Sequence, residues 1–531
     1  MRNRSTHAQA AGALLMGAIA CAHAGDAWPT LGGNGARSLT AADAPPLDLL
    51  RWTLTHDQWG DSIEWIGQAP PVIAGGRVFA LGSVGIETRL FAVRLDDGGI
   101  DWDICVDPQE LDSWAGPVLD EANGTVIVAS GFSVEAFDQH DGTPLWFLPL
   151  DRAVVNATPV VTTDRGPNDR VLVTDFDGGG TAARLYAINV DPYHPAVNPY
   201  KPGEIVWSVG IGGASGASPT YADGFVYVAT IGQAFIAPGS LRKFKIDPAV
   251  THDPPPLWTY TLPVTQGFFG GLSLHNGSLY AATFAFFGGQ NAARLVRVDA
   301  STGSHKWIAP ANRTNAVPIV IEQGADPMIA LASGIAGFGS LPAVQLFTDL
   351  GSMAVQIADT ALDTFIDTNG NMAPDAGEYT ALGGWTHHPV SLTAPLAPML
   401  LTGEPEISGA SDFEPHVGLR VINLAQHPAS GAFIDDSSPH GGGSPAVTSD
   451  CVVSVGATGL AAFGLCGAPA DRDGNGELDI EDLYKFNADP ADLTGDGLIN
   501  DDDRRFLQRT LRHRELDRIA APIFEHTGAQ P

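Results

Sequence analysis

Oxygen-bearing side chains at fixed spacing are the plainest chemistry in this sequence. A twelve-residue calcium loop takes side-chain oxygens at positions 1, 3, 5, 9 and 12, a backbone carbonyl at 7 and a sharp turn at 6. The stretch DRDGNGELDIED supplies Asp471, Asp473, Asn475, Asp479 and Asp482, with Glu477 at position 7 and Gly476 at the turn. The stretch DLTGDGLINDDD supplies Asp492, Thr494, Asp496, Asn500 and Asp503, with Leu498 at position 7 and Gly497 at the turn. Two loops that fit are far more specific than one. A third stretch, DTNGNMAPDAGE, offers Asp367, Asn369, Asn371, Asp375 and Glu378, but Met372 stands where glycine usually makes the turn. Its alternative reading is a polar surface insertion. The pattern therefore predicts two Ca2+ sites near the end of the chain and a possible third over 367–378.

Other reactive groups are sparse. There is no G-x-S-x-G elbow, no H-E-x-x-H pair, no phosphate-binding glycine loop and no C-x-x-C pair. The adjacent His387 and His388 in GGWTHHP are candidate metal ligands, yet neighbours on a strand point apart, and an exposed loop is the expected setting. Trp59, Trp65 and His440 are candidate ligand contacts at a channel mouth, or else caps on a core. Cys451 and Cys466 flank a run with a two-residue turn expected at Thr458–Gly459, making them a disulfide candidate. Such a loop would contribute about 3 kcal/mol in the chain-entropy model. Buried free thiols are the alternative, and Cys105 has no evident partner.

The elements that must carry these groups are strands. LFAVRLDDGGIDW (90–102), VEAFDQHDGTPLW (134–146) and LVRVDASTGSHKW (295–307) each read as a strand, an Asp, a tight turn and a second strand bearing Trp. Each is preceded by two shorter strands, giving four per unit with period-two patterning. Trp52, Trp102, Trp146, Trp207, Trp258 and Trp307 are spaced by 50, 44, 61, 51 and 49 residues. Two further units lack the Trp, and an eighth beginning at SPAVTSDCVV stops one strand short. LLRWTLTHD, with the otherwise orphaned Trp52, supplies that strand. The expected fold class is all-β: an eight-bladed β-propeller closed by an N-terminal strand, then a small α-helical calcium-binding domain. Closure removes the free sheet edge.

These repeats resemble the pyrroloquinoline-quinone (PQQ) repeat propellers, whose pattern LVRVDASTGSHKW follows most nearly. WPTLGGNGARS (28–38) is similar to that family's entry sequence. The resemblance covers about residues 26–467 and implies that the repeat Trp packs between blades. Enzymes of the family hold the quinone with Ca2+ near the axis and oxidise alcohols or sugars. No matching acidic and amide cluster stands out in blades one to five, and the adjacent cysteine pair of many such enzymes is absent.

After the propeller, the loop–helix pair occurs twice without a helix leading into either loop. Leu483 and Phe486, then Phe506, Leu507 and Leu511, make one apolar face, and Leu478 and Ile499 are expected to pair between the loops. This resembles a dockerin module, which implies folding around calcium and docking into a cohesin-like receptor. Ile480–Glu481 and Asp501–Asp502 differ from the small hydroxyl residues at the contact surface of cellulosomal members. A purely structural calcium-stapled module is the alternative.

The expected organisation is a signal peptide over 1–24, a propeller over 25–468 with an insertion at 360–393, the dockerin-like module at 469–515 and a flexible tail at 516–531. Arg2 and Arg4, a short apolar run and the Ala22–Ala24 site make the export signal, with a lipid anchor on Cys21 as alternative. The expected location is periplasmic or extracellular. A formal charge of −32 over 531 residues excludes nucleic acid and anionic lipid as partners, both of which need clustered Lys and Arg. Three functions stay open: a binding or scaffold propeller tethered to a protein partner, a PQQ-dependent dehydrogenase, and a component of a polysaccharide-degrading assembly. The first is favoured, with the propeller and the tail acting as independent modules and an unknown ligand at the propeller face.

Overall fold

The computed structural model describes residues 27–466 except 67–68, 112, 234–235, 286–287, 323–325, 394–396 and 408–415, then 480–491, 493, 499, 503–505, 507–508 and 511. The signal peptide, Cys21, Leu478, Phe506 and the 516–531 tail lie outside the described residues. No helix among the described residues is long and apolar enough to cross a membrane.

The chain forms an eight-bladed all-β propeller. Blade 5 shows the plan: Leu272–His275 innermost, then Ser278–Ala282, Ala293–Asp299 and His305–Ala311, each antiparallel to the last. In blade 2 the middle is one long segment, Thr125–Asp138, whose first half pairs with Val118–Asp120 and second half with Pro144–Val154. Blade 8 is completed from the far end of the sequence, with Leu50–Leu54 pairing against Gly459–Gly464 and Trp52 opposite Ala462. The expected count and closure hold.

The repeat signature works through contacts between blades. The Trp52 indole donates to Leu95 O of blade 1 (2.9 Å), Trp102 to Gln139 O (3.3 Å) and Trp258 to Ala300 O (3.2 Å). The turn glycine of each following blade lies flat on that ring. A Cβ on Gly98, at φ 73°, would stand 2.7 Å from Trp52, and one on Gly142 2.8 Å from Trp102. Trp and Gly therefore recur together because one ring needs one missing side chain on its neighbour.

Cys451 and Cys466 are disulfide-bonded. The hairpin between them turns at Ala457–Thr458, not Thr458–Gly459, because Gly456 pairs with Gly459 and Cys451 with Gly464. Cys466 meets its partner by bending back at φ 50°, its N–H on Asp450 O. Cys105 is an exposed free thiol beside Glu87.

A segment without regular structure fills the propeller's axis. The N–H and O of Trp28 bridge to Ile73 in blade 1, and Pro29 O accepts from Leu119 in blade 2. Thr30 Oγ1 donates to Pro159 O at blade 3. Gly35 O accepts from Tyr221 in blade 4 and Ala36 O from Leu274 in blade 5. Leu31 and Leu39 pack on Val317 and Ile319 of blade 6. Leu39 O accepts from Ser391, and Thr40–Ala41 then runs parallel to the inner strand of blade 7. Residues 28–41 thus visit seven blades in order before leaving for the eighth.

The C-terminal residues join this ring. Phe486 of the helix Ile480–Ala488 forms one buried cluster with Leu493, Leu507 and Leu511, and with Leu49 and Leu465 of the propeller. Leu49 immediately precedes the closing strand and Leu465 immediately follows the last one. The tail's apolar face is therefore shared with the closure seam. Ile499, expected to be buried between the loops, is 60% exposed.

Candidate functional site

The segments entering each inner strand converge on one end of the axis: SWAGP, NATP, GASP, NAVP, THHP and GGSP all end on the proline before that strand. Trp114 of blade 2 and Trp385 of blade 7 meet there, ring centroids 5.3 Å apart. Phe269 and Phe284 of blade 5 lie tilted beside them, at 6.5 Å from Trp114 and 5.6 Å from Trp385. Blades 2 and 7 are not neighbours, so rings that touch between them cross the axis and close it.

Arg37 of the N-terminal segment fills the axis as well, and its partners include the last residues of two of these entering segments. This side chain is wholly buried. Its guanidinium donates to Thr30 Oγ1 (2.7 Å) and to Leu31 O (2.8 Å), Thr158 O (2.9 Å), Pro159 O (3.1 Å) and Pro219 O (3.1 Å). Burial pushes its pKa down to about 9. All partners are neutral oxygens, so the charge clamps the N-terminal segment to blades 3 and 4 and presents nothing to a ligand.

The histidines expected in an exposed loop are buried: His387 at 0% and His388 at 3% exposure. His387 Nε2 accepts the Gly403 N–H (2.9 Å), which places its proton on Nδ1, while His416 Nε2 donates to Gly383 O (2.6 Å). The two rings lie 4.9 Å apart. His388 stands beside Ser444 and near the Arg37 charge. Burial holds His387 far below its ordinary range; burial and then Arg37 hold His388 to about 3, and burial holds His416 to about 4. All three are neutral at pH 7 and sealed from solvent, so they serve the core. The other expected contacts are scattered: Trp59 is 67% exposed, and Trp65 is buried with its indole on Leu54 O. Half-buried His440 has no hydrogen-bond partner for Nδ1.

The 367–378 loop is closed by its own side chains. Asp367 accepts the N–H groups of Gly370 (2.6 Å) and Met372 (3.0 Å). Both asparagine amides, Asn369 and Asn371, donate to one oxygen of Asp375 (2.7 Å each). Glu378 accepts the Thr368 N–H (2.9 Å) and hydroxyl (2.6 Å), and the Thr368 hydroxyl bond is the main cause of its lowered pKa. Met372 takes the left-handed turn at φ 59° despite its side chain, which is 87% exposed. Among the described residues no three His, Cys, Asp or Glu side chains gather as a metal site. The amides of Asn369 and Asn371 thus turn their nitrogens to the one carboxylate oxygen.

In the tail, Asp471, Asp473, Asn475, Glu477 and Asp479 of the first loop, and Asp492, Thr494, Asp496, Leu498 and Asn500 of the second, lie outside the described residues. The two position-12 carboxylates, Asp482 and Asp503, are described and wholly buried. Asp503 accepts the N–H of Leu493, at position 2 (2.7 Å). Glu378 makes the same bond to Thr368 at position 2 of its own loop. On the outer face of the helix, Ile480 (45%) and Tyr484 (67%) are exposed, as is Ile499.

Among the described residues the N-terminal segment borders grooves on its face of the ring. One, about 580 Å3, lies over blades 5 to 7 against Ser38 and Thr40. The other, about 390 Å3, lies over blades 2 and 3 against Asn34, Asp120 and Asp169. There burial, the largest cause, pushes Asp120 up to about 6.

No protein-family model matches the chain, and no curated protein does. Solved structures do. BamB from Moraxella catarrhalis matches at 13% identity and TM-score 0.48 over 76% of this chain and 97% of its own. A europium-containing methanol dehydrogenase matches at 14% and 0.43 over 81% of each. Quinohemoprotein alcohol dehydrogenase from Comamonas testosteroni matches at 13% and 0.36, over 81% of this chain and 70% of its own.

Proposed function

We propose that this chain is an exported binding and scaffold propeller, held to a protein partner by its calcium-loaded, dockerin-like C-terminal module. The observation that carries the reading is the filled axis. Trp114 and Trp385 meet across it, and the Arg37-clamped segment is bonded to the entering segments beside them. The surfaces left for contact are the outer grooves and the tail. In the alternative, a quinoprotein dehydrogenase, a flat cofactor near the axis would have to displace that aromatic cluster.

Calcium would be held by the side chains of the two tail loops, Asp471 to Asp482 and Asp492 to Asp503, and by Asp367, Asn369, Asn371, Asp375 and Glu378. The shared bond from position 12 to position 2 supports the twelve-residue register in the second and third loops. Turning over the Asn369 and Asn371 amides would aim two carbonyl oxygens at the place where their nitrogens now meet Asp375. With the inner face of the tail packed on Leu49 and Leu465, Ile480, Tyr484 and Ile499 remain to meet a cohesin-like receptor.

The test has two arms. Calcium titration of the full chain should show at least two sites, and immobilised protein should capture one partner with calcium, none with chelator, and none as the Ile480→Asp, Tyr484→Asp variant. Incubation with PQQ followed by desalting should leave no bound quinone. Retained quinone with turnover of alcohols or sugars would replace this reading with the dehydrogenase.

A further inference from the structure

The groove over blades 5 to 7 has the makings of a ligand site. Its floor is the inner strand of blade 6, Ile319–Ile321, which pairs on one side with Met328–Ser333. The N-terminal segment hydrogen-bonds to the inner strands of blades 5 and 7, and among the described residues no backbone hydrogen bond joins it to blade 6. It arches past that strand and leaves about 580 Å3 beneath it, within the range of small-molecule sites.

The chemistry of the walls is specific. Ser273 of blade 5 and Ser391 of blade 7, each the second residue of its inner strand, line the groove on either side of Val320. They are 2% and 1% exposed, and neither hydroxyl has a hydrogen-bond partner. A buried hydroxyl without a partner costs about 1–3 kcal/mol, and a serine turned into the groove would recover that cost against a ligand. Ser38, Thr40 and Thr393 add three more hydroxyls. At the rim His275 Nε2 lies 2.5 Å from Glu322 Oε1, which also accepts the Asn276 amide (2.8 Å). The carboxylate is thus fixed in place with a second oxygen in hand. The remaining described walls are aliphatic, and no Lys or Arg is among the described lining residues.

We infer that this groove binds a neutral polyhydroxyl compound the size of one or two sugar units. Paired hydroxyls would use Glu322 as acceptor and the serines as donors or acceptors, and C–H faces would rest on Val320, Ile321 and Leu392. A phosphate or carboxylate would meet Glu322 with no cation to offset it. This names a ligand for the binding propeller and so rests on that reading.

The inference predicts calorimetric binding of at least one of glucose, N-acetylglucosamine, maltose or myo-inositol to the full chain, with glucose 6-phosphate binding more weakly than glucose. Ser273→Ala and Ser391→Ala break no hydrogen bond of the protein, so both should melt no lower than the parent while weakening binding about five- to tenfold each. Glu322→Ala should abolish it. No heat with any neutral compound at millimolar concentration, or affinity unchanged in the double serine variant, overturns the inference. Partner capture that persists beside such a result leaves the scaffold reading intact, whereas quinone turnover would remove both.

Discussion

Acid should weaken this propeller through its buried histidines, by an amount that can be worked out. In the folded chain His388 holds a proton only below about 3 and His416 below about 4. Unfolded, each would titrate near the ordinary value of about 6.5. A base with a depressed folded pKa costs nothing above its unfolded pKa. As the pH falls below that value, the unfolded state takes up a proton that the native state refuses, so stability drops. Between pH 7.5 and pH 5 the loss integrates to about 2 kcal/mol for each of these two, and His387 acts in the same direction. Buried carboxylates oppose it: Asp120, raised to about 6, and Asp169, Asp175, Asp359 and Asp436, also raised, favour the native state as they protonate. A difference between two proteins removes them. His416→Gln keeps a side-chain N–H for Gly383 O and has nothing to titrate. Guanidinium unfolding of both proteins, followed by tryptophan fluorescence at pH 7.5 and pH 5, should show the variant losing about 2 kcal/mol less than the parent. Parallel losses would refute the reasoning, because they would mean that His416 is protonated in the folded chain or already neutral in the unfolded one.

Other outcomes follow from the same contacts. Arg37→Met leaves four buried carbonyls short of a donor; relief of the buried charge offsets part of this, for a net loss of about 3 kcal/mol in denaturant titration. Gly98→Ala, forced against Trp52 at a positive φ, should lower stability by about 1–3 kcal/mol, with the Trp fluorescence shifted. Leu465→Ala should cost about 2–4 kcal/mol and, because it sits on the closure seam, should bring the propeller's melting transition down together with the tail's. A propeller transition unmoved by that substitution would show the tail to be a passenger.

The propeller was legible because its signal repeats. One Trp and one Gly recur at near-constant spacing, and Trp52, a member without a unit, announced the closing strand. Residues 28–41 gave no such signal. They have neither period two nor period 3.6, and their partners run from Ile73 to Ser391, so nothing local encodes their path. Arg37 looked like any surface arginine, since burial of a cation among carbonyls has no pattern in sequence. His387 and His388 were misplaced because glycine and adjacent polar residues usually mean an exposed loop. Their position just before Pro389 was the available clue: THHP occupies the slot of NATP, GASP and NAVP, all of which line the axis. Ile499 is exposed while Phe486, Leu493, Leu507 and Leu511 form the tail's buried cluster with Leu49 and Leu465, a partnership across the chain that no local pattern encodes.

The segment through the axis also orders events in time. Residues 28–41 are made before the blades, yet their hydrogen bonds wait for blades that follow one by one until Ser391. The strand Leu50–Leu54 waits longer still, for Gly459–Gly464. Contacts separated by some four hundred residues form slowly, and until they do Trp52, Leu49 and the inner-strand edges stay uncovered. A strand made before any blade is thus the last to find its place. An unfinished ring, with its first strand unpaired, is the species most exposed to aggregation and to proteases.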